Sequence, residues 1–262
     1  MTYRRLNDLA DVLRDAGLKV VEVPGWKENG RPSSTGGFNP GGNLWHHTGA
    51  KDTNPNSITD DYAYARWLAE IGRSDLPAPL CQVSIGRDGT VYVCASGRGN
   101  HAGTARSTGP MAAGDGNYIY LGWECQNSGS EGWSKAQYDA MVLAGAATSI
   151  HYGWSAQANR AHRETSLTGK WDPGGLDMNR FRNDIESKIK SLKEDDVPNY
   201  RDWSEADKKA LAQDVAAETV EALMSFEIIP RKDINVRDAL RYGGAKKAAK
   251  ADQAEDEAAE KK

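Results

Sequence analysis

Two hydrophobic periods alternate along residues 6–192, and this alternation limits the possible folds more than any other feature of the chain. Leu6, Leu9, Ala10, Leu13 and Ala16 recur at helical spacing and stop at Gly17. Lys19–Val23 then reads as a short strand, and Asn43–Thr48 (NLWHHT) as a second. Tyr62, Ala65, Leu68 and Ala69 return to the helical period within 58–71, with Asp60 as the expected cap. Leu80–Ile85 and Thr90–Cys94 flank Gly-Arg-Asp-Gly, a hairpin signal. Tyr118–Cys125 (YIYLGWEC) is an aromatic-rich strand. Ser134 opens a helix with Tyr138, Met141, Val142, Gly145 and Ser149 on one stripe, ending at His151, whose position in the last turn suits the helix dipole. Asp177 caps another, carrying Met178, Phe181, Ile185, Ile189 and Leu192. Strands interleaved with amphipathic helices predict an α/β domain, a sheet with helices packed on it.

The composition changes after residue 192. Residues 193–203 are charged and hold Pro198, which predicts a linker. Residues 204–242 follow as a helical C-terminal segment, with Ala210, Leu211, Val215, Val220, Leu223 and Met224 on an apolar stripe. Such a stripe needs a partner, which makes wall attachment or self-association the expected roles. Residues 243–262 are Ala, Lys, Glu and Asp with almost no large apolar residue, and are expected to be a disordered charged tail. Residues 25–42, rich in Gly, Ser, Pro and Asn, are expected to be a long surface loop bordering a groove.

Several function classes are disfavoured. The net charge of −4 and the lack of a strongly basic stretch argue against a nucleic-acid partner. No apolar run approaches the ~18 residues of a membrane span, and the first twenty residues lack a signal-peptide core. Cys81, Cys94 and Cys125 are too scattered for a disulfide framework and are expected as buried strand residues.

The chemistry concentrates in His162–Gly175 (HRETSLTGKWDPGG), which holds His162, Lys170 and Asp172 and closes on Pro-Gly-Gly. Gly169 and Pro173-Gly174-Gly175 predict a shaped loop, able to bring His162 and Asp172 together. An imidazole and a carboxylate are zinc ligand types, but two ligands do not complete a site. Trp45–Gly49 (WHHTG) is the natural source of a third. Strand alternation puts His46 with Leu44 on one face and His47 with Trp45 on the other, so only one of the two histidines can reach a given ion. Glu124 is the single charge in its strand, either a solvent-facing carboxylate or an acid/base residue aimed into a site.

WHHTG at 45–49, GRDGTVY at 86–92, NHAG at 100–103, LGWE at 121–124 and H-x7-K-x-DPG at 162–174 stand in an order that resembles the N-acetylmuramoyl-L-alanine amidase type 2 family. That family is related to the peptidoglycan recognition proteins and to phage amidase endolysins. The resemblance covers about residues 40–190. It implies a mixed central β-sheet flanked by helices, with Zn2+ in a groove and peptidoglycan as substrate. It implies hydrolysis of the amide between the lactyl group of N-acetylmuramic acid and L-alanine of the stem peptide. His46, His162 and Asp172 match the metal ligands, Glu124 the proposed general base and Lys170 the residue that stabilises the oxyanion. His101 matches a histidine lining the groove in relatives, a loop histidine bonded to backbone being the alternative. His47, also groove-side, is assigned to packing behind the ligands. One branch of phage amidases carries a catalytic tyrosine near the start of the first hairpin strand; Leu80-Cys81-Gln82 holds none, so this chain is more like the glutamate-using branch.

Two other functions compete: a peptidoglycan-binding module without turnover, and a zinc peptidase acting on another amide. The complete ligand set disfavours the first and only the resemblance disfavours the second. A glycosidase needs paired carboxylates, and none accompanies Glu124. The missing signal peptide and the catalytic segment placed first match a phage endolysin made in the host cytoplasm and released by a separate membrane-permeabilising protein, non-classical secretion being the alternative.

Overall fold

The structure, a computed structural model, describes residues 2–51 and 58–195. The chain divides into two units, Met1–Lys190 and Ser191–Lys262, and among the described residues every strand lies in the first. The strands are β1 (Val20–Glu22), β2 (Gly42–His47), β3 (Gly72–Arg73), β4 (Leu76–Pro77), β5 (Val83–Ile85), β6 (Val91–Val93), β7 (Thr104–Ala105), β8 (Gly114–Asp115), β9 (Tyr120–Cys125) and β10 (Asn159–Ala161). The helices are α1 (Leu9–Asp15), α2 (Ile58–Glu70), α3 (Gly116–Ile119), α4 (Lys135–Tyr152), α5 (His162–Thr165) and α6 (Met178–Asp195).

Six strands build one sheet in the order β1-β6-β5-β9-β2-β10, while β3–β4 and β7–β8 form two small ribbons. Only β5 and β6 run antiparallel, as the hairpin around Gly86–Gly89; the other neighbours are parallel, so the sheet is mixed. In the hairpin turn, the Thr90 amide donates to the Asp88 carboxylate at 2.8 Å and Gly89 takes φ +83°.

The register sorts the side chains. Val21, Tyr92, Ser84, Glu124 and His46 are aligned across β1, β6, β5, β9 and β2. Residues in one row share a face. At the β1–β6 end that face is covered by α2, where Tyr92 packs with Ala65, Leu68 and Ala69. The opposite face carries Trp45 and Trp123, stacked at 4.8 Å between ring centroids, with Phe181 of α6 meeting Trp45 edge-on at 5.2 Å. Each buried aromatic removes ~150–250 Å2 from water, roughly 4–6 kcal/mol at ~25 cal/mol/Å2. Three large aromatic rings, Trp45, Trp123 and Phe181, are thus buried together on this α6-covered face.

Helix α4 shows why a single apolar stripe misread it. Ser134 caps it, accepting from the Gln137 amide at 3.0 Å, and Gly153 ends it at φ +76°. From Ala144 to Ser149 every residue is buried. A Cβ at Gly145 would stand 2.8 Å from Ile185 Cδ1 and 3.1 Å from Asn159 Oδ1. Glycine and alanine thus let α4 sit close to both the sheet and α6, and its exposed polar residues are confined to the two ends.

Other expectations are corrected. Residues 25–42 are not simply a surface loop, because Trp26 and Phe38 are buried and pin it. Helix α2 begins at Ile58, so Asp60 falls inside its first turn and is not the cap. The strand expected from Tyr118 starts at Tyr120, after the single turn of α3. The shaped loop after His162 opens with the one-turn helix α5. Helix α6 runs to Asp195, into the expected linker; the rest of that linker, the 204–242 segment and the 243–262 tail lie outside the described residues. Cys81, Cys94 and Cys125 are all buried and free, but only Cys125 lies within a strand. Among the described residues, no helix is long and apolar enough to cross a membrane.

Candidate active site

Three parallel strands, β9, β2 and β10, deliver the candidate residues at their C-terminal ends. His46 of β2 is in register with Glu124 of β9. Ala161 of β10 pairs with Trp45, so His162, one residue on, reaches the level of His46. Ligand sites in sheets of this kind form where parallel strands end. Asp172 returns to the same point through the loop after α5. The Arg163 amide donates to the Asp172 carbonyl at 2.8 Å, and the Arg163 guanidinium donates to the carbonyls of Pro173 and Leu176. The indole of Trp133 donates to the Gly174 carbonyl at 2.9 Å.

The result is a buried cluster. Asp172 Oδ2 lies 2.8 Å from His46 Nδ1 and 3.0 Å from His162 Nδ1. All three ligand atoms fall within 4.8 Å of one another. Zinc bonds of ~2.0–2.1 Å in a tetrahedron separate ligand atoms by about 3.3 Å. The donor set and its spacing therefore fit zinc, with three protein ligands and one position left for water or substrate.

Electrostatics agree with that use. Burial, reinforced by the neighbouring His162, lowers the His46 pKa to about 4, so its imidazole is neutral at neutral pH and can act as a ligand. Burial would raise the Asp172 carboxyl, but hydrogen bonds from His162 and His46 outweigh it and hold the group far below the usual carboxylate range. Glu124 moves the other way. Burial, and then the Asp172 charge, push its carboxyl well above its ordinary value, while the Lys170 ammonium opposes them. Its Oε2 is buried without a hydrogen-bond partner among the described residues. Glu124 is thus half-buried, with Oε2 shielded from solvent. It is a destabilised carboxylate, held beside the cluster.

Lys170 sits exposed in the loop, and its charge acts both on Glu124 and on Asp75 of the β3–β4 ribbon. His47 points away from His46: its Nδ1 accepts from the Gly174 amide at 2.8 Å, and its ring meets Trp171 edge-on at 4.3 Å. It holds the Asp172 loop and does not join the cluster. His101 is brought to His46, with Nδ1 3.2 Å from His46 Nε2.

Sequence reasoning passed over Tyr64 of α2. Burial, then the charge of Glu124, raise its phenol, and Thr48 hydrogen-bonds to it. It packs against the core cluster that includes Leu80 and Cys81. It also passed over Gly122, Gln82 and Asn117. The Gly122 amide donates to Gln82 Oε1 at 2.6 Å, and Asn117 Oδ1 accepts from the amides of His101 and Ala102, both at 2.8 Å. A glycine inside an otherwise aromatic strand was the available signal.

A mixed-sheet α/β domain with two histidines and an aspartate converging at its strand ends is the class that these observations define. Residues 39–175 match the family model of N-acetylmuramoyl-L-alanine amidase, over half of the chain, and the chain belongs to that family. Among solved structures it is similar to the endolysin amidase LysCS from Clostridium intestinale URNW, at 19% identity, 64% of this chain, 95% of that chain and a TM-score of 0.43. It is also similar to the Drosophila peptidoglycan recognition protein SA, at 18% identity, 63% and 91% coverage and a TM-score of 0.44. A third is the Ph2119 endolysin from the Thermus scotoductus MAT2119 bacteriophage Ph2119, at 19% identity, 63% and 98% coverage and a TM-score of 0.38. No protein with a curated description matches the chain.

Proposed function

We propose that this domain is a zinc-dependent peptidoglycan hydrolase of endolysin type, cutting the amide between N-acetylmuramic acid and the L-alanine of the stem peptide. The observation that carries the reading is the convergence of His46 Nδ1, His162 Nδ1 and Asp172 Oδ2, with the half-buried Glu124 in register beside His46. These three residues would hold the ion. Bound zinc would supply Lewis acidity toward the amide carbonyl and toward water.

The chain's own groups do the rest. Glu124 accepts the proton of the attacking water as its oxygen bonds to the carbonyl carbon. The same carboxyl then hands that proton to the amide nitrogen as the C–N bond breaks, giving a lactyl carboxylate and a peptide with a free L-alanine amine. A raised pKa suits this double duty, since a base must hold and release a proton near neutral pH. Lys170 brings a positive charge to the side where oxyanion charge develops. The neutral His46 and the ionised Asp172 keep the ligand set ready without a further loss of protons.

The test is a muramoyl peptide of defined structure, incubated with full-length protein reloaded with zinc after chelation. The expected result is stoichiometric release of peptide with an L-alanine amino terminus, and one zinc per chain. Cleavage between amino acids of the stem would establish a peptidase instead.

A further inference from the structure

His101 lies 55 residues from His46 in sequence, in the loop before β7, and the hydrolytic steps make no use of it. Its surroundings show a side chain built into place. The Arg98 guanidinium pairs with Asp115 at 2.8 Å, and the Asp115 carboxylate accepts from the Asn117 amide at 3.1 Å. Asn117 Oδ1 in turn accepts from the backbone of His101 and Ala102. The imidazole lies flat on the sheet at Gly122. A Cβ there would stand 2.7–2.8 Å from the ring's Cγ, Cδ2 and Cε1, so only glycine at that strand position admits the ring. The ring meets that of His46 nearly at right angles, 5.3 Å between centroids, with Nδ1 aimed at His46 Nε2. The far nitrogen, Nε2, is buried and has no hydrogen-bond partner among the described residues.

A histidine that ligates a metal through one nitrogen must keep its proton on the other, and whatever accepts that proton fixes tautomer and ring orientation. His46 turns Nδ1 to the ligand cluster and Nε2 to His101. Carboxylates and carbonyls are the usual acceptors; in this protein the group that faces His46 Nε2 is an imidazole.

We propose that His101 is a positioning residue for the metal: its Nδ1 accepts the Nε2 proton of His46, which directs the His46 Nδ1 lone pair to the point shared with His162 and Asp172. This rests on the zinc reading of the same site. It also requires the His101 proton to sit on Nε2.

The experiment measures zinc affinity by chelator competition on the full chain for wild type, His101→Phe and His101→Gln. Phenylalanine keeps a flat ring over Gly122 but offers no acceptor; glutamine restores one. The expected loss for His101→Phe is about 10–100-fold, the usual effect of removing such a partner, with most of it recovered in His101→Gln. Nitrogen NMR of histidine-labelled, zinc-loaded wild type should show His101 unprotonated at Nδ1 and protonated at Nε2. Zinc affinity in His101→Phe equal to wild type, or a proton on His101 Nδ1, overturns the inference and leaves the zinc site standing. Wild type that takes up no zinc removes the zinc reading and this inference together. If His101→Phe fails to fold, the NMR measurement on wild type decides alone.

Discussion

The two faces of strand β2 treat buried polar groups in opposite ways. On the helix-covered face, Asn43 donates to Thr148 Oγ1 and to Asn159 Oδ1, both at 3.0 Å. The indoles of Trp45 and Trp123 donate to Asn159 Oδ1 at 3.1 Å and Asn43 Oδ1 at 2.8 Å. On the other face, the buried Glu124 Oε2, His101 Nε2 and Tyr120 Oη have no partner among the described residues. Gln137 Oε1, on α4, is the exception to this division. A satisfied network fixes one packing, whereas unsatisfied polar atoms cost about 1–3 kcal/mol each and are retained where chemistry needs them. The α6 face of the sheet is core throughout, while the other carries the α2 core at one end and the site at the other. Four substitutions test how cleanly the two separate.

The largest effect is expected from Asp172→Ala. It leaves two histidines without their shared carboxylate, so zinc binding and amide cleavage should both fall to background, as read by metal content and peptide release. A variant that kept its zinc would move the ligand set elsewhere.

Glu124→Gln separates chemistry from metal binding. Turnover should fall by about 10²–10⁴-fold, the range for a lost general base, with zinc content unchanged. A near-wild-type rate would take the base assignment away from Glu124. The same variant gives a signed pH test in the metal-free protein. Folded Glu124 holds its proton to higher pH than the ordinary value of 4.5. The folded state therefore binds more protons than the unfolded chain above that value, and stability falls as pH rises through the folded pKa. Denaturation midpoints should show this fall in wild type and less of it in Glu124→Gln.

Trp45→Ala is the complementary change on the helix-covered face. Removing a fully buried tryptophan stacked on Trp123 should cost about 3–5 kcal/mol in urea unfolding, while the folded fraction keeps its zinc affinity. Loss of zinc from the folded fraction would mean that the two faces are coupled.

Gly122→Ala should have the smallest effect. One methyl group pressed against the His101 ring is expected to cost about 1–3 kcal/mol in stability and to weaken zinc binding by moving His101 from His46. Unchanged zinc affinity would show that the ring can shift without disturbing the ligand.

Much of this was readable in the chain, and the unread part is non-local. Helix and strand periods marked the main elements, because one buried face leaves a direct imprint on residue order. WHHTG and H-x7-K-x-DPG pointed to His46, His162 and Asp172 because each motif is contiguous, and strand alternation separated His46 from His47. The alignment of Glu124 with His46 depends on β9 and β2 being neighbours, which no local period encodes. His101 and Gly122 are far apart in sequence, so neither reveals that one makes room for the other. The burial of every residue from Ala144 to Ser149 of α4 was hidden because these small residues carry little hydrophobic contrast.

The most direct measurement is digestion of purified peptidoglycan by full-length protein, with and without a zinc chelator, followed by mass analysis of the products. A zinc amidase releases free stem peptides beginning with L-alanine when zinc is present and none in the chelated sample, and that is the predicted result. Reducing sugar ends without free peptides, peptide release that ignores the chelator, or wall binding with no new ends at all would contradict it.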